Sequence, residues 1–445
     1  MDNLNLRWVS ANNPNQLASF TFTSFAMFGL FRARAPHPDF STRQTPPEMH
    51  AVDCAVAAAL PDQGQLNIPL AGVDAEDLVG RDKIEHGRSL ARTDRWTELS
   101  KQMRAADEAR ETAPDGMPVA DLLAFGARSD VVLAAEHALS AGKALSDYDL
   151  LGGISELEDE MREHAGDPMI ALVVALAHID LAWAWRGTAT NATLPPLHRS
   201  RCAAHFDRAA ALLPTCRKAA PDSPLVAAAG CALLAGLRRS NIRVADEYER
   251  LITLDPQNQR HMRAMGTHLL PQWFGSYEEL EVQALRTAAR TQDIWGAGGY
   301  TWVQFDAIAL DEEACARLDI EYFLEGLHDI LDRRPDQKTV NMLSAYCATT
   351  IQNGFGLNDK ADLVRTQIHE AANWLIRDHL TELHPLIWAH AANGFNNSVR
   401  ISSPERFAAR GQRDALRAIG DLFREELRSG MDVTFTPSGL RLSGN

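Results

Sequence analysis

A chain of 445 residues in which 45% of side chains are hydrophobic but only 7% aromatic has the usage of close-packed helices more than of a β-rich core. Its formal net charge is −15, with 59 acidic against 44 basic side chains, so its mean field repels phosphate backbones and anionic membranes. Nucleic acid is therefore excluded as an expected partner, and a membrane surface is disfavoured. Six lysines stand against 38 arginines, a usage that together with abundant alanine points to a bacterial source.

Residues 1–80 form an irregular N-terminal extension, with Pro36, Pro38, Pro46, Pro47, Pro61 and Pro69 and weak periodicity outside a helical stretch at 49–60. The apolar run 17–31 is shorter than the roughly 20 residues that span a bilayer, and its basic flanks do not suit a signal peptide. It is expected to be buried or covered by a partner. Cys54, Cys202, Cys216, Cys231, Cys315 and Cys347 are widely scattered with no C-x-x-C, as expected of small apolar fillers in a reducing, cytoplasmic compartment.

Residues 82–428 carry apolar side chains at three and four spacing almost without interruption, which predicts a helical domain. Ser155-Glu-Leu-Glu158 and Ser276-Tyr-Glu-Glu279 have the form of capping boxes. Asp167-Pro168, Ser223-Pro224 and Ser403-Pro404 place a capping side chain before a proline, so each marks a predicted helix start. Helices are predicted over 225–238 and 242–254, the second presenting Ala245, Tyr248, Leu251, Ile252 and Leu254 on one face and stopping at Asp255-Pro256.

The ending Tyr248-Glu-Arg-Leu-Ile-Thr-Leu-Asp-Pro-Gln-Asn258 resembles the second helix of a tetratricopeptide repeat, and Pro224 and Pro256 lie 32 residues apart, close to that family's 34-residue period. Residues 319–335 look like another such ending, 79 residues further on, so the array is degenerate. Pro271-Gln-Trp-Phe-Gly-Ser-Tyr-Glu-Glu-Leu280 is similar to a Pro-Arg-Trp-Gly-Gly-Ser-x-Glu-Glu pattern of bacterial helical-repeat proteins of unknown function. The resemblance implies an all-α solenoid of tetratricopeptide-like antiparallel helix pairs. Residues 429–445 depart from it: Met431-Asp-Val-Thr-Phe-Thr-Pro-Ser-Gly-Leu-Arg-Leu442 alternates about a Pro-Ser-Gly turn, which predicts a short β-hairpin or a docked strand.

Chemistry is sparsely signalled. His198, Cys202 and His205 at i, i+4, i+7 share one helix face and are the sharpest metal-like pattern, weighed against a helix edge with a cysteine filler. No G-x-S-x-G, H-E-x-x-H or phosphate-loop motif is present, and Gly296-Ala-Gly-Gly299 is expected to be a flexible interhelix turn. The densest feature is aromatic: Trp273, Phe274, Tyr277, Trp295, Tyr300, Trp302 and Phe305 lie within 33 positions of a chain with nine tryptophans. They would either line a groove that grips a peptide or fill an irregular junction. The expected function is thus a non-catalytic scaffold binding a protein or peptide through Trp273, Tyr277, Trp295, Tyr300 and Trp302, with no cofactor. An enzyme on a helical toroid, or a metal-dependent site at His198, Cys202 and His205, is the alternative.

Overall fold

The computed structural model describes residues 64–71, 75–114, 116–140, 147–187, 193–234, 236, 244–395 and 403–444. The readings made for residues 1–63, the apolar run 17–31 and the helix at 49–60 among them, lie outside these. The described chain is mostly helical, with one small sheet.

The first seven helices are α1 (Ala75–Arg92), α2 (Trp96–Glu108), α3 (Val119–Ser140), α4 (Asp147–Glu163), α5 (Pro168–Arg186), α6 (Pro196–Ala219) and α7 (Pro224–Leu234). They gather around α5, which packs against α2, α3, α4, α6 and α7 and buries every residue except Ala171 and Arg186. A helix apolar all round must be covered on every side. That need explains why α5 is, among the described residues, the one helix long and apolar enough to cross a membrane: here other helices supply the cover. Helices α1 and α3 cross closely because each offers a glycine to the other. A Cβ on Gly126 would stand 2.0 Å from the Ile84 carbonyl oxygen, and one on Gly87 would stand 2.3 Å from that of Leu123.

The second group comprises α8 (Val244–Leu254), α9 (Gln259–His268), α10 (Tyr277–Arg290), α11 (Gln292–Trp295), α12 (Gly298–Leu310), α13 (Glu312–Ala316), α14 (Ile320–Arg333), α15 (Gln337–Ala345), α16 (Asp359–Trp374), α17 (Pro385–Ala391), α18 (Pro404–Leu422) and α19 (Arg424–Arg428). Its centre is α12, buried from Gly298 to Ile308 and packed by α9, α10, α13 and α14. Helix α7 belongs to both groups. Its Leu225, Val226, Ala229 and Leu233 enter the first core while Ala227, Cys231 and Leu234 enter the second. This double role accounts for a helix with no polar face.

The sheet ties the two ends of the described chain together. Strands β2 (Met431–Thr436) and β3 (Gly439–Gly444) form the antiparallel hairpin that the alternation predicts, turning at Pro437-Ser438. Strand β1 (Leu66–Asn67), which no periodicity announced, pairs in parallel with β2 through Leu66–Val433 and Asn67–Thr434. A bridge between Leu70 and Leu383 follows, and α1 then begins at Ala75, ahead of the position 82 expected for the helical domain. The segment before the helices is thus held against the last ones.

Most start signals act as expected. Asp167 accepts from the Met169 N–H at 2.9 Å, Ser223 from Val226 at 3.1 Å, Ser276 from Glu279 at 3.1 Å and Ser403 from Arg406 at 3.3 Å. Ser155 does not: α4 runs straight through it, since a capping box inside a continuous apolar periodicity has no chain break to cap. The glycine run 296–299 also differs from the expected flexible turn. Only Gly296 turns, at φ +57°, whereas Gly298 and Gly299 open α12 and are buried, with side-chain atoms of Ile330 and Thr291 where their Cβ atoms would be.

Candidate functional site

The aromatic cluster divides. Trp295 and Trp302 meet edge to face at 5.9 Å, Trp302 continues to Phe305, and Phe305 stacks on Tyr346 at 3.8 Å, all in the core. The Trp295 indole N–H donates to the Pro256 carbonyl at 2.8 Å, and the Tyr300 hydroxyl to Glu281 at 3.0 Å. Trp295 at the end of α11 is therefore inside, and so are Tyr300 and Trp302, because their helix α12 is surrounded by α9, α10, α13 and α14. Trp273 and Tyr277 are only partly buried, and Phe274 is 40% exposed. The Tyr277 hydroxyl contacts Asp311 at 3.3 Å, and the Arg317 guanidinium lies 4.9 Å from its ring centre.

His198, Cys202 and His205 do lie on one helix, α6, but the two imidazoles serve different partners. His198 Nδ1–H donates to the Trp185 carbonyl at 2.9 Å, with its ring edge-on to that indole. His178 Nε2–H donates to Glu158 at 3.0 Å, so its Nδ1 is left to accept from His205 Nδ1–H at 2.9 Å. Burial lowers the pKa of His178 and takes that of His205 down to about 4, so both rings are neutral at pH 7. Glu158 is held below its usual range by the Arg208 guanidinium, 2.6 Å away at both oxygens. This is a buried hydrogen-bond relay between α4, α5 and α6. Among the described residues, no three His, Cys, Asp or Glu side chains stand close enough together to hold a metal.

A different set of side chains converges where the two cores meet. A cavity of about 20 Å³, room for a single water-sized group, is lined by Asp107 and Arg110 at the end of α2, by Pro118 and Asp121 at the start of α3, by Pro224, Leu225 and Ala228 of α7, and by Asp255 and His261 around the α8–α9 turn. Asp107 spans the junction: its Oδ1 accepts the Leu225 N–H at 3.0 Å, so α2 caps α7 across 118 positions of sequence. Burial raises the Asp107 pKa, against hydrogen bonds from Ser223 and Leu225. Asp255 accepts from His261 Nε2–H at 3.1 Å. Burial opposes its charge, but the bonds and charge of His261, with Asn258 and Arg110, outweigh that and keep its pKa low.

Arg110 closes one wall. It sits at φ +53°, a conformation unusual for a side chain with a Cβ, and donates to the carbonyls of Leu254 and Asp222 at 3.0 Å each and to that of Asp107. Three carbonyls from three elements hold it there. Asp121 is the outlier. It is 5% exposed, and its Oδ1 has no hydrogen-bond partner. Burial, with Asp107 and Asp255 adding to it against Arg128 and Arg260, pushes its pKa up to about 7. No sequence motif marks these carboxylates, because they come from three separate parts of the chain. The one available signal was an acidic residue inside the apolar stretch Met117-Pro-Val-Ala-Asp-Leu-Leu-Ala-Phe125.

In comparisons with protein-family models, curated proteins and solved structures, nothing matches this chain at a significant level.

Proposed function

We propose that this protein is a non-catalytic helical scaffold that binds a partner protein through the outer face of α10, its helices being a degenerate solenoid of tetratricopeptide-like pairs. The observation that carries the reading is an unpartnered helix face with apolar side chains at helical spacing. Val282 and Leu285 are 44% and 45% exposed, on the side of α10 opposite Leu280, Gln283, Ala284 and Thr287, which are buried. Phe274, exposed, and Trp273 and Tyr277, partly buried, lie just before α10 and at its first residue. A stacked helical array would continue by laying another helix there.

The fitting occupant is an amphipathic helix of a partner protein running antiparallel to α10. It would set an apolar i, i+3, i+4 stripe on Val282 and Leu285, a basic residue near Glu278 and an acidic one near Arg286. The packing of α7 on α8 and of α8 on α9 supports the helix-pair reading. Cys216, Cys231, Cys315 and Cys347, free and buried, support a reducing, cytoplasmic setting. A paired-carboxylate glycosidase on a helical toroid finds less support, since the cavity that holds Asp121 and Asp255 has room for one water-sized group and not for a sugar ring.

A photo-cross-linking residue in place of Leu285 tests this in lysate of the source organism. The expected product is a cross-link to a segment of another protein with helical apolar spacing, and Val282→Glu with Leu285→Glu should cut its co-purification at least about tenfold with helical circular dichroism unchanged. A cross-link only to a second copy of this chain, or none, would overturn the partner.

A further inference from the structure

We infer that β3 is a self-association edge: two copies of this chain pair their β3 strands antiparallel about a two-fold axis at Leu442, joining two three-stranded sheets into one of six. No residue of α10 takes part, so this edge stands or falls apart from that face. The backbone supplies the first observation. The Val433 N–H donates to the Gln65 carbonyl at 2.8 Å, on the β1 side of β2. In an antiparallel ladder, residues directly opposite either exchange both their bonds or both turn away from each other. Leu442 stands opposite Val433, so its N–H and C=O point outward, and by alternation so do those of Leu440 and Gly444. Among the described residues no strand lies beyond β3 and no backbone bond reaches it from elsewhere, so this row of donors and acceptors is open.

The second observation is a core that stops short. Leu442 shares a sheet face with Val433, its cross-strand neighbour, yet Leu442 is 46% exposed where Val433 is 0%. Residues Arg441 to Gly444 are all exposed, whichever face they take. Edges that must stay unpaired are blunted by a bulge, a proline or a lysine. Strand β3, Gly-Leu-Arg-Leu-Ser-Gly, keeps one-to-one register along its six residues and contains neither proline nor lysine.

The residues of β3 favour a second copy as the occupant. Two symmetric registers bring most of the strand into pairing. One centres on Arg441 and sets two guanidinium groups face to face, which like charges oppose. The other centres on Leu442: Leu442 meets Leu442 of the second copy, Arg441 meets Ser443 and Leu440 meets Gly444. No like charges face each other there, and the two half-exposed Leu442 side chains cover one another. The contact is isologous, so two copies close it. The other edge of the sheet, β1, spans only Leu66–Asn67 and offers no comparable template for a third copy. The net charge of −15 on each copy opposes association, and salt screens that repulsion.

Sedimentation velocity of the full chain at raised ionic strength, over about a hundredfold range of concentration, should show monomer passing to dimer and no larger species. Leu442→Pro removes an N–H that the chain's own sheet does not use, so it should leave the melting temperature nearly unchanged while weakening the dimer at least about tenfold. Leu442→Lys, which sets like charges at the axis, should weaken it as much and serves should proline disturb the hairpin. With diamide as oxidant, Leu442→Cys should form disulfide-linked dimers that the parent and Arg441→Cys do not, since directly opposed bonded residues have Cα atoms about 5.5 Å apart whereas residue 441 faces 443. A chain that stays monomeric throughout, leaving β3 to a strand of another protein, would overturn the inference. So would a dimer of unchanged affinity in folded Leu442→Pro, or equal cross-linking at positions 441 and 442.

Discussion

Asp121→Asn is expected to stabilise the protein, and the gain should depend on pH in a defined direction. The carboxyl group has a pKa of about 7 in the folded chain, against about 3.9 when unfolded. The folded state therefore holds its proton more tightly, and the parent loses stability as pH rises from about 4 to about 7. Three pKa units correspond to about 4 kcal/mol, fully expressed above pH 7 and absent below pH 4. Asn keeps the shape and removes the charge, so parent and variant should unfold alike at pH 4, while at pH 8 the variant should need more denaturant. A difference that does not change between these two pH values would show that Asp121 is not the buried carboxylate of raised pKa described above.

The second large effect lies in the aromatic cluster. Trp302 is 1% exposed and touches Trp295 and Phe305 at the centre of the second core. Trp302→Ala should cost about 3–5 kcal/mol through lost contacts and the void left behind. Phe274→Ala, at a side chain 40% exposed, should change stability by less than about 1 kcal/mol. Thermal unfolding of the two variants side by side checks the contrast. Similar losses in both would mean that Phe274 is as much a part of the core as Trp302.

That contrast also shows where the sequence was informative. Seven aromatics within 33 positions mark a special region, but density does not say which rings face inward. A strip of apolar residues along α12 looks the same whether one side of the helix is open or four helices surround it. The burial of Tyr300 and Trp302 follows from α9, α10, α13 and α14 closing around α12, and that depends on residues up to about 40 positions away. Helix starts were legible because a cap is a contact over two or three residues, as at Asp167 and Ser276. Ser155 shows the limit, since the same four letters occur inside a helix that simply continues.

The metal-like triad fails for a related reason. The spacing of His198, Cys202 and His205 determines a shared helix face, and α6 provides it. Which atom each ring bonds depends on what packs opposite: Trp185 meets His198, and His178 meets His205. Neither neighbour is inferable from the spacing.

By itself the sequence determined the helical character, the stops at Asp255-Pro256, the C-terminal hairpin and the negative charge, because each depends on local backbone chemistry or on summed composition. Tertiary structure alone decided the rest. It set α7 between two cores, bound β1 to β2 across more than 360 positions, and brought Asp107 of α2, Asp121 of α3 and Asp255 and His261 of the α8–α9 turn to one cavity. Local rules act over a turn or two of helix, whereas the environment of a buried carboxylate is made by whatever the fold places within a few ångströms of it.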